Sequence, residues 1–181
     1  MRPDFAVRTT TPLTTNYHLK GSTMSDTKID EYTKADLESH EQDLQLGSFS
    51  HEDAVALGLV LLEGARAAGH VIAVAVDRGN QRVFQAALPG TCSDHNAWLE
   101  RKFAAVRHFD RASLELERRV LENNTYLDER QLDRTQIVLA GGAFPIRVND
   151  VLVGVIGVAG LRSVDDHRFV VDSLKKYIKS H

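Results

Sequence analysis

The run with the most chemistry in it is Asp94-His95-Asn96-Ala97-Trp98-Leu99-Glu100-Arg101-Lys102. It opens a helix, and a helix N-terminus offers unpaired amides and positive potential. Arg101 and Lys102 follow within two turns. Trp98 and Lys102 stand at i, i+4 and so share a face. An aromatic wall with cations beside it suits an anionic small molecule. The plainer reading is structural: Trp98 anchors the helix to a sheet, and Arg101 and Lys102 sit in ion pairs. Residue chemistry leaves both open.

Gly141-Gly142-Ala143-Phe144-Pro145 is the second candidate. Two glycines at a strand end permit positive φ and close backbone approach. They could edge a ligand pocket, or mark a bulge or tight crossover in a sheet. Gly154, Gly157 and Gly160 imitate the spacing of a phosphate-binding loop, but they lie within a strand rather than between strand and helix. A dinucleotide site is therefore not expected. The chain has eight histidines and one cysteine. No HxxxH pair or carboxylate cluster occurs, so no metal site is expected. Cys92 precedes a helix, where a thiolate is stabilised. A nucleophilic role would need a base that sequence cannot place.

The elements that carry these residues follow from periodicity. Ile29 to Leu46 reads as a mostly polar helix. Ser50-His-Glu-Asp53 is a capping box, and Ala54, Leu57, Leu61, Ala65 and Ala68 then recur at helical spacing up to Gly69. His70 to Val76 and Gln81 to Leu88 form a hairpin across Asp77-Arg-Gly-Asn80. Ser93 or Asp94 caps one long helix from His95 to Asn123. Gln136 to Ala140 reads as a strand. Phe144 to Val148 and Leu152 to Ala159 pair across Asn149-Asp150. Ser163 caps a last helix, Val164 to Ile178. The order points to an α/β (α+β) domain with a five-stranded, mainly antiparallel sheet and helices packed on it.

At 181 residues a single domain is the natural count. The net charge of −3 argues against a general nucleic-acid binder. One cysteine rules out a disulfide within the chain, and the expected compartment is the cytoplasm. The longest apolar run, Val151 to Leu161, is too short to span a membrane. Residues 1 to 27 have few large apolar groups and read as a disordered extension. Residues 28 to 181 then form the domain. The extension has some flavour of a mitochondrial transit peptide, but Met24 as the natural start is the simpler expectation.

Taken together, several stretches resemble the GlcG/HbpS-like heme-degrading domain family. They are Pro89-Gly-Thr, Asp94…Trp98…Arg101-Lys102, Gly141-Gly142-Ala-Phe-Pro-Ile, Val153-Gly-Val-Ile-Gly-Val-Ala-Gly-Leu161 and Asp166-His167. The likeness spans Leu46 to Tyr177 and is strongest to the branch with the tryptophan and Arg-Lys helix. It implies a profilin-like three-layer α/β/α fold and homo-oligomers, and some relatives bind heme. Three features depart from the branch: His95 replaces an Asn, His108 replaces an Arg, and Phe103-Ala104-Ala105 replaces a more polar stretch.

The resulting expectation is a heme-type ligand-binding protein, with weak heme-degrading activity as an extension of that reading. Trp98, Arg101, Lys102, Gly141, Gly142, Phe144 and Pro145 would form the site. His95, His108 and His167 are the candidate axial ligands if heme is the cofactor. The rival expectations are a non-enzymatic homo-oligomeric scaffold, and an enzyme on another small anionic molecule.

Overall fold

In the computed structural model the described residues are 31–122 and 126–180, so the expected N-terminal extension lies outside them. The elements run α1 (Lys34–Asp43), β1 (Gln45–Leu46), α2 (His51–Ala68), β2 (Ala73–Arg78), β3 (Gln81–Ala87), α3 (Ser93–Phe109), α4 (Ser113–Glu122), α5 (Tyr126–Glu129), β4 (Ala143–Val148), β5 (Val151–Ala159) and α6 (Ser163–Ser180). The five strands form one sheet in the order β1-β4-β5-β2-β3. Every pairing is antiparallel except β1 with β4. The expected α/β class, with a five-stranded and mostly antiparallel sheet, is what the structure has.

Side-chain alternation along the strands divides the core between two faces. Val74, Val76, Phe144, Ile146, Ile156 and Val158 face Leu57 and Leu61 of α2 and Val170 and Leu174 of α6. Ala73, Ala75, Ala143, Val155 and Ala159 face Leu99, Phe103 and Val106 of α3. The small residues on this second face let α3 lie close to the sheet. A Cβ at Gly157 would collide with the Phe103 ring, so that glycine makes room for the helix. The result is helix, sheet and helix in three layers.

The α2 reading holds in detail. Ser50 accepts the Asp53 amide, the Asp53 carboxylate accepts the Ser50 amide, and Gly69 closes the helix at φ 66°. Four expectations are corrected. Gln136 to Ala140 is not a strand: its first residues turn on the Asp133 carbonyl, and the Val138 amide bonds to Arg101 O on α3 instead of entering the sheet. Leu139 packs with Ala105 and Leu116, which draws the segment onto the helical layer. The fifth strand is β1, drawn from the end of the expected first helix. Gln45 anchors it by accepting from the Asp150 amide and donating to the Asp150 carboxylate.

The third correction concerns the long helix, which breaks at Asp110. Asp110 adopts a left-handed conformation and donates its amide to Val106 O. The cause is tertiary. Glu41 on α1 accepts the Ala112 amide at 2.6 Å, and Arg147 on β4 donates to the Asp110 carbonyl at 2.8 Å. α3 itself starts from Cys92 as its N-cap, not from Ser93 or Asp94. Among the described residues no helix is long and apolar enough to cross a membrane.

Candidate functional site

A cavity of about 370 Å³ opens where the start of α3, the end of β5 and the start of α6 meet. Asp94, His95, Trp98 and Lys102 line it from α3; Ala159, Gly160 and Leu161 from the strand end; Ser163 and Asp166 from α6. The helical spacing of Trp98 and Lys102 puts both on this wall. Trp98 is 37% exposed and so is not the sheet anchor that the structural reading required. Leu99 and Phe103, one position further on, fill that role.

The cavity floor is an ion pair. Lys102 Nζ lies 2.8 Å from Asp166 Oδ2 and 3.3 Å from the Val158 carbonyl. Both side chains are almost wholly buried, at 5% and 1% exposure. Asp166 Oδ1 also accepts the Leu161 amide at 3.0 Å. Burial pushes the Asp166 carboxyl above its ordinary value; the Lys102 ammonium and the Leu161 and Gly160 amides pull the other way and do not fully offset it. The Asp166 signal was present in the sequence, but at the first turn of a helix it reads as a dipole partner.

Gly142 stands behind this pair. Its φ is +118°, and a Cβ there would fall 2.7 Å from Asp166 Cβ and 2.8 Å from Lys102 Nζ. Gly141 offers no free amide to a ligand. Its N–H is taken by Ser163 Oγ and by Glu117 Oε2, the latter at 2.9 Å, and Ser163 in turn donates to Glu117. The two glycines thus serve close approach between β4, α4 and α6.

Arg101 is not among the lining residues; it stacks on Trp98, with 4.6 Å from Cζ to the ring centroid. Its Nε donates to the Ala97 carbonyl. His95 accepts the Cys92 amide at Nδ1, 3.1 Å away, and lies 3.5 Å from Cys92 Sγ. An accepting Nδ1 puts the proton of the neutral ring on Nε2.

The other expected residues lie elsewhere. Phe144 is 1% exposed and packs in the core on the opposite sheet face, with its ring 6.0 Å from that of His167. Pro145 is buried in β4 opposite Val155. His108 is exposed beside Phe109, thirteen residues or about 20 Å along the helix from His95. His167 is fully buried, with Nε2 3.3 Å from His40 Nδ1 and with Nδ1 unpartnered among the described residues. Burial pushes His167 down to about 3. Of the three candidate axial histidines, only His95 reaches the cavity.

Fold and cavity together define a three-layer α/β/α domain with a ligand-sized pocket at one end of its sheet. The chain belongs to the HbpS-like family: the family model described as haem degrading protein HbpS-like matches residues 49–175. A UPF0303 protein of Streptomyces coelicolor is 38% identical over 148 residues, covering 81% of this chain and 94% of that protein. A UPF0303 protein of Psychromonas ingrahamii is 33% identical over 153 residues, covering 83% and 96%. Among solved structures, the Ybr137w protein superposes with a TM-score of 0.75 at 21% identity, over 84% of this chain and 94% of its own. A PduOC:heme complex superposes with a TM-score of 0.62 at 18% identity, over 71% and 94%. These structural likenesses are likenesses of fold.

Proposed function

We propose that the chain binds a heme-type ligand in the Trp98 cavity and works as a homo-oligomer. The observation that carries the reading is a ligand-sized cavity with a half-open tryptophan on its wall and an arginine stacked on that tryptophan. At about 370 Å³ it lies at the small end of the usual range for ligand pockets. It would take part of a macrocycle, leaving the rest to solvent or a neighbouring subunit. Trp98, Ala159 and Leu161 suit a flat apolar body. Arg101, stacked on Trp98 outside the lining, suits carboxylates of a ligand that projects from the cavity, through charge-assisted hydrogen bonds. Lys102 adds little free charge, because Asp166 already neutralises it.

The residues fit the organic part of heme better than its iron. His95 is the available axial donor, and it must first release the Cys92 amide and move its proton from Nε2. The family description and the heme-bound PduOC fold neighbour support this ligand class. Haem breakdown, the activity in the family description, would show as a Soret band that decays under a reductant and oxygen.

Hemin titration tests the reading. The expected result is a saturable Soret shift at one hemin per chain. Arg101→Ala should weaken binding by about tenfold, the value of one charged hydrogen bond. His95→Ala should move the band if His95 is axial. Non-stoichiometric uptake, equal in wild type and Arg101→Ala, would remove the proposal. Light scattering on the same samples should give a multiple of 20.1 kDa.

A further inference from the structure

Among the described residues Lys102 is the buried lysine, at 4% exposure, yet it lines the cavity. If its only task were to join α3 to α6, apolar residues of the same volume would serve as well, because burying an ion pair costs its full desolvation. Its nitrogen is held by Asp166 Oδ2 at 2.8 Å and by the Val158 carbonyl at 3.3 Å. The residue behind it is glycine, where any Cβ would sit 2.8 Å from Nζ. An ion-paired lysine attacks a carbonyl only after giving up a proton, and Asp166, in contact with Nζ, is the base placed to take it.

We propose that Lys102 forms a reversible imine with an aldehyde admitted to this cavity, with Asp166 as its proton partner. The step balances within the site. Asp166 takes a proton from the Lys102 ammonium. The free amine attacks the carbonyl carbon, the C=O π bond opens, and the oxygen acquires the nitrogen's proton to give a carbinolamine. Asp166 returns its proton to the hydroxyl, the C–O bond breaks, and water leaves. A protonated iminium then faces a carboxylate, so the product keeps the charge pairing of the resting state. Burial already pushes the Asp166 carboxyl up, toward accepting that proton.

The lining also selects the class of aldehyde. Asp94 and Asp166 oppose the one ammonium, so an anionic 2-oxo acid is disfavoured on the cavity floor. Trp98, Ala159 and Leu161 favour an uncharged aldehyde with an apolar, flat body. This activity shares the cavity with heme binding but does not rest on it.

Reductive trapping on the full chain tests the inference. Benzaldehyde with cyanoborohydride at neutral pH should leave one benzyl group per chain, mapped to Lys102 by peptide mass spectrometry. The exposed Lys34, Lys176 and Lys179 should label only at background rate. Asp166→Asn should slow labelling at Lys102 by about a hundredfold, the scale of a lost general acid–base. Label spread over the exposed lysines, with Lys102 at or below their level, overturns the proposal. Equal rates in wild type and Asp166→Asn remove Asp166 from the step. The mapping is done on the native chain, so it stands even if the variant fails to fold. Labelling at Lys102 without hemin binding sinks the heme reading alone; hemin saturation without labelling sinks this one alone.

Discussion

At the scale of single residues, the site depends on contacts that leave no spare space. Gly142 has a backbone conformation that other residues avoid, and its neighbours are Asp166 and Lys102. Gly142→Ala should therefore lower unfolding stability by about 2–4 kcal/mol through overpacking and backbone strain. Urea denaturation checks this, and a loss below 0.5 kcal/mol (roughly the effect of an ordinary surface change) would show that the Lys102–Asp166 pair is less tightly placed. His167 gives a second residue-scale prediction. Burial holds it neutral in the fold, down to about 3, whereas the unfolded ring titrates near 6.5. The unfolded state therefore binds a proton that the folded state refuses. Stability is intact above 6.5 and falls as the pH drops from there toward 3, with a slope approaching about 1.4 kcal/mol per pH unit. His40 is pushed down as well, chiefly by burial, and adds to the same trend. His167→Leu should flatten most of that slope in denaturation curves recorded from pH 7 to 4. An unchanged slope would place the acid sensitivity elsewhere.

At the scale of elements, what could be read in the sequence was what local chemistry decides. The α2 helix was legible because its cap, apolar period and terminal glycine all lie within twenty residues of one another. The two hairpins were legible from their turn residues. The break between α3 and α4 was not, since neither glycine nor proline marks it. Its determinants, Glu41 and Arg147, come from α1 and β4. β1 was read as helix because two residues carry no alternation, and its strand state depends on pairing with Arg147 and Val148. In the candidate site, Trp98 and Lys102 were legible from i, i+4 spacing. The place of Asp166 and Ser163 in the cavity was not, because the fold alone brings α6 to α3. Phe144 and Pro145 look like part of the glycine motif in sequence, but strand alternation and sheet pairing carry them away from the cavity. The Glu41 junction yields a prediction of its own. Glu41 is 5% exposed and joins the Ala112 amide to Arg147 and Arg111. Glu41→Ala leaves the buried Arg147 short of a partner and should cost about 3 kcal/mol. Chemical denaturation reads it, and a near-neutral variant would show that Asp110 and the Asp150 carbonyl satisfy Arg147.

At the scale of the whole molecule, two helical layers enclose the sheet, and the cavity opens where α3, β5 and α6 meet at its end. The sheet face under α3 is mostly alanine, with Gly157 and Val155, which lets that helix lie close and leaves Trp98 on the cavity wall. Family membership rests on residues 49–175, and the heme-type ligand proposed above rests on the cavity, its aromatic wall and the arginine stacked on that wall. The chain contains a single tryptophan, so tryptophan emission comes from Trp98. The most direct test is to follow Trp98 emission, corrected for absorbance, while hemin is added to the full chain. Saturable quenching complete at one hemin per chain is expected, with the same midpoint as the Soret shift, and Trp98→Ala should weaken hemin binding. A Soret titration with the same midpoint in wild type and Trp98→Ala would place the ligand elsewhere and contradict the proposed site.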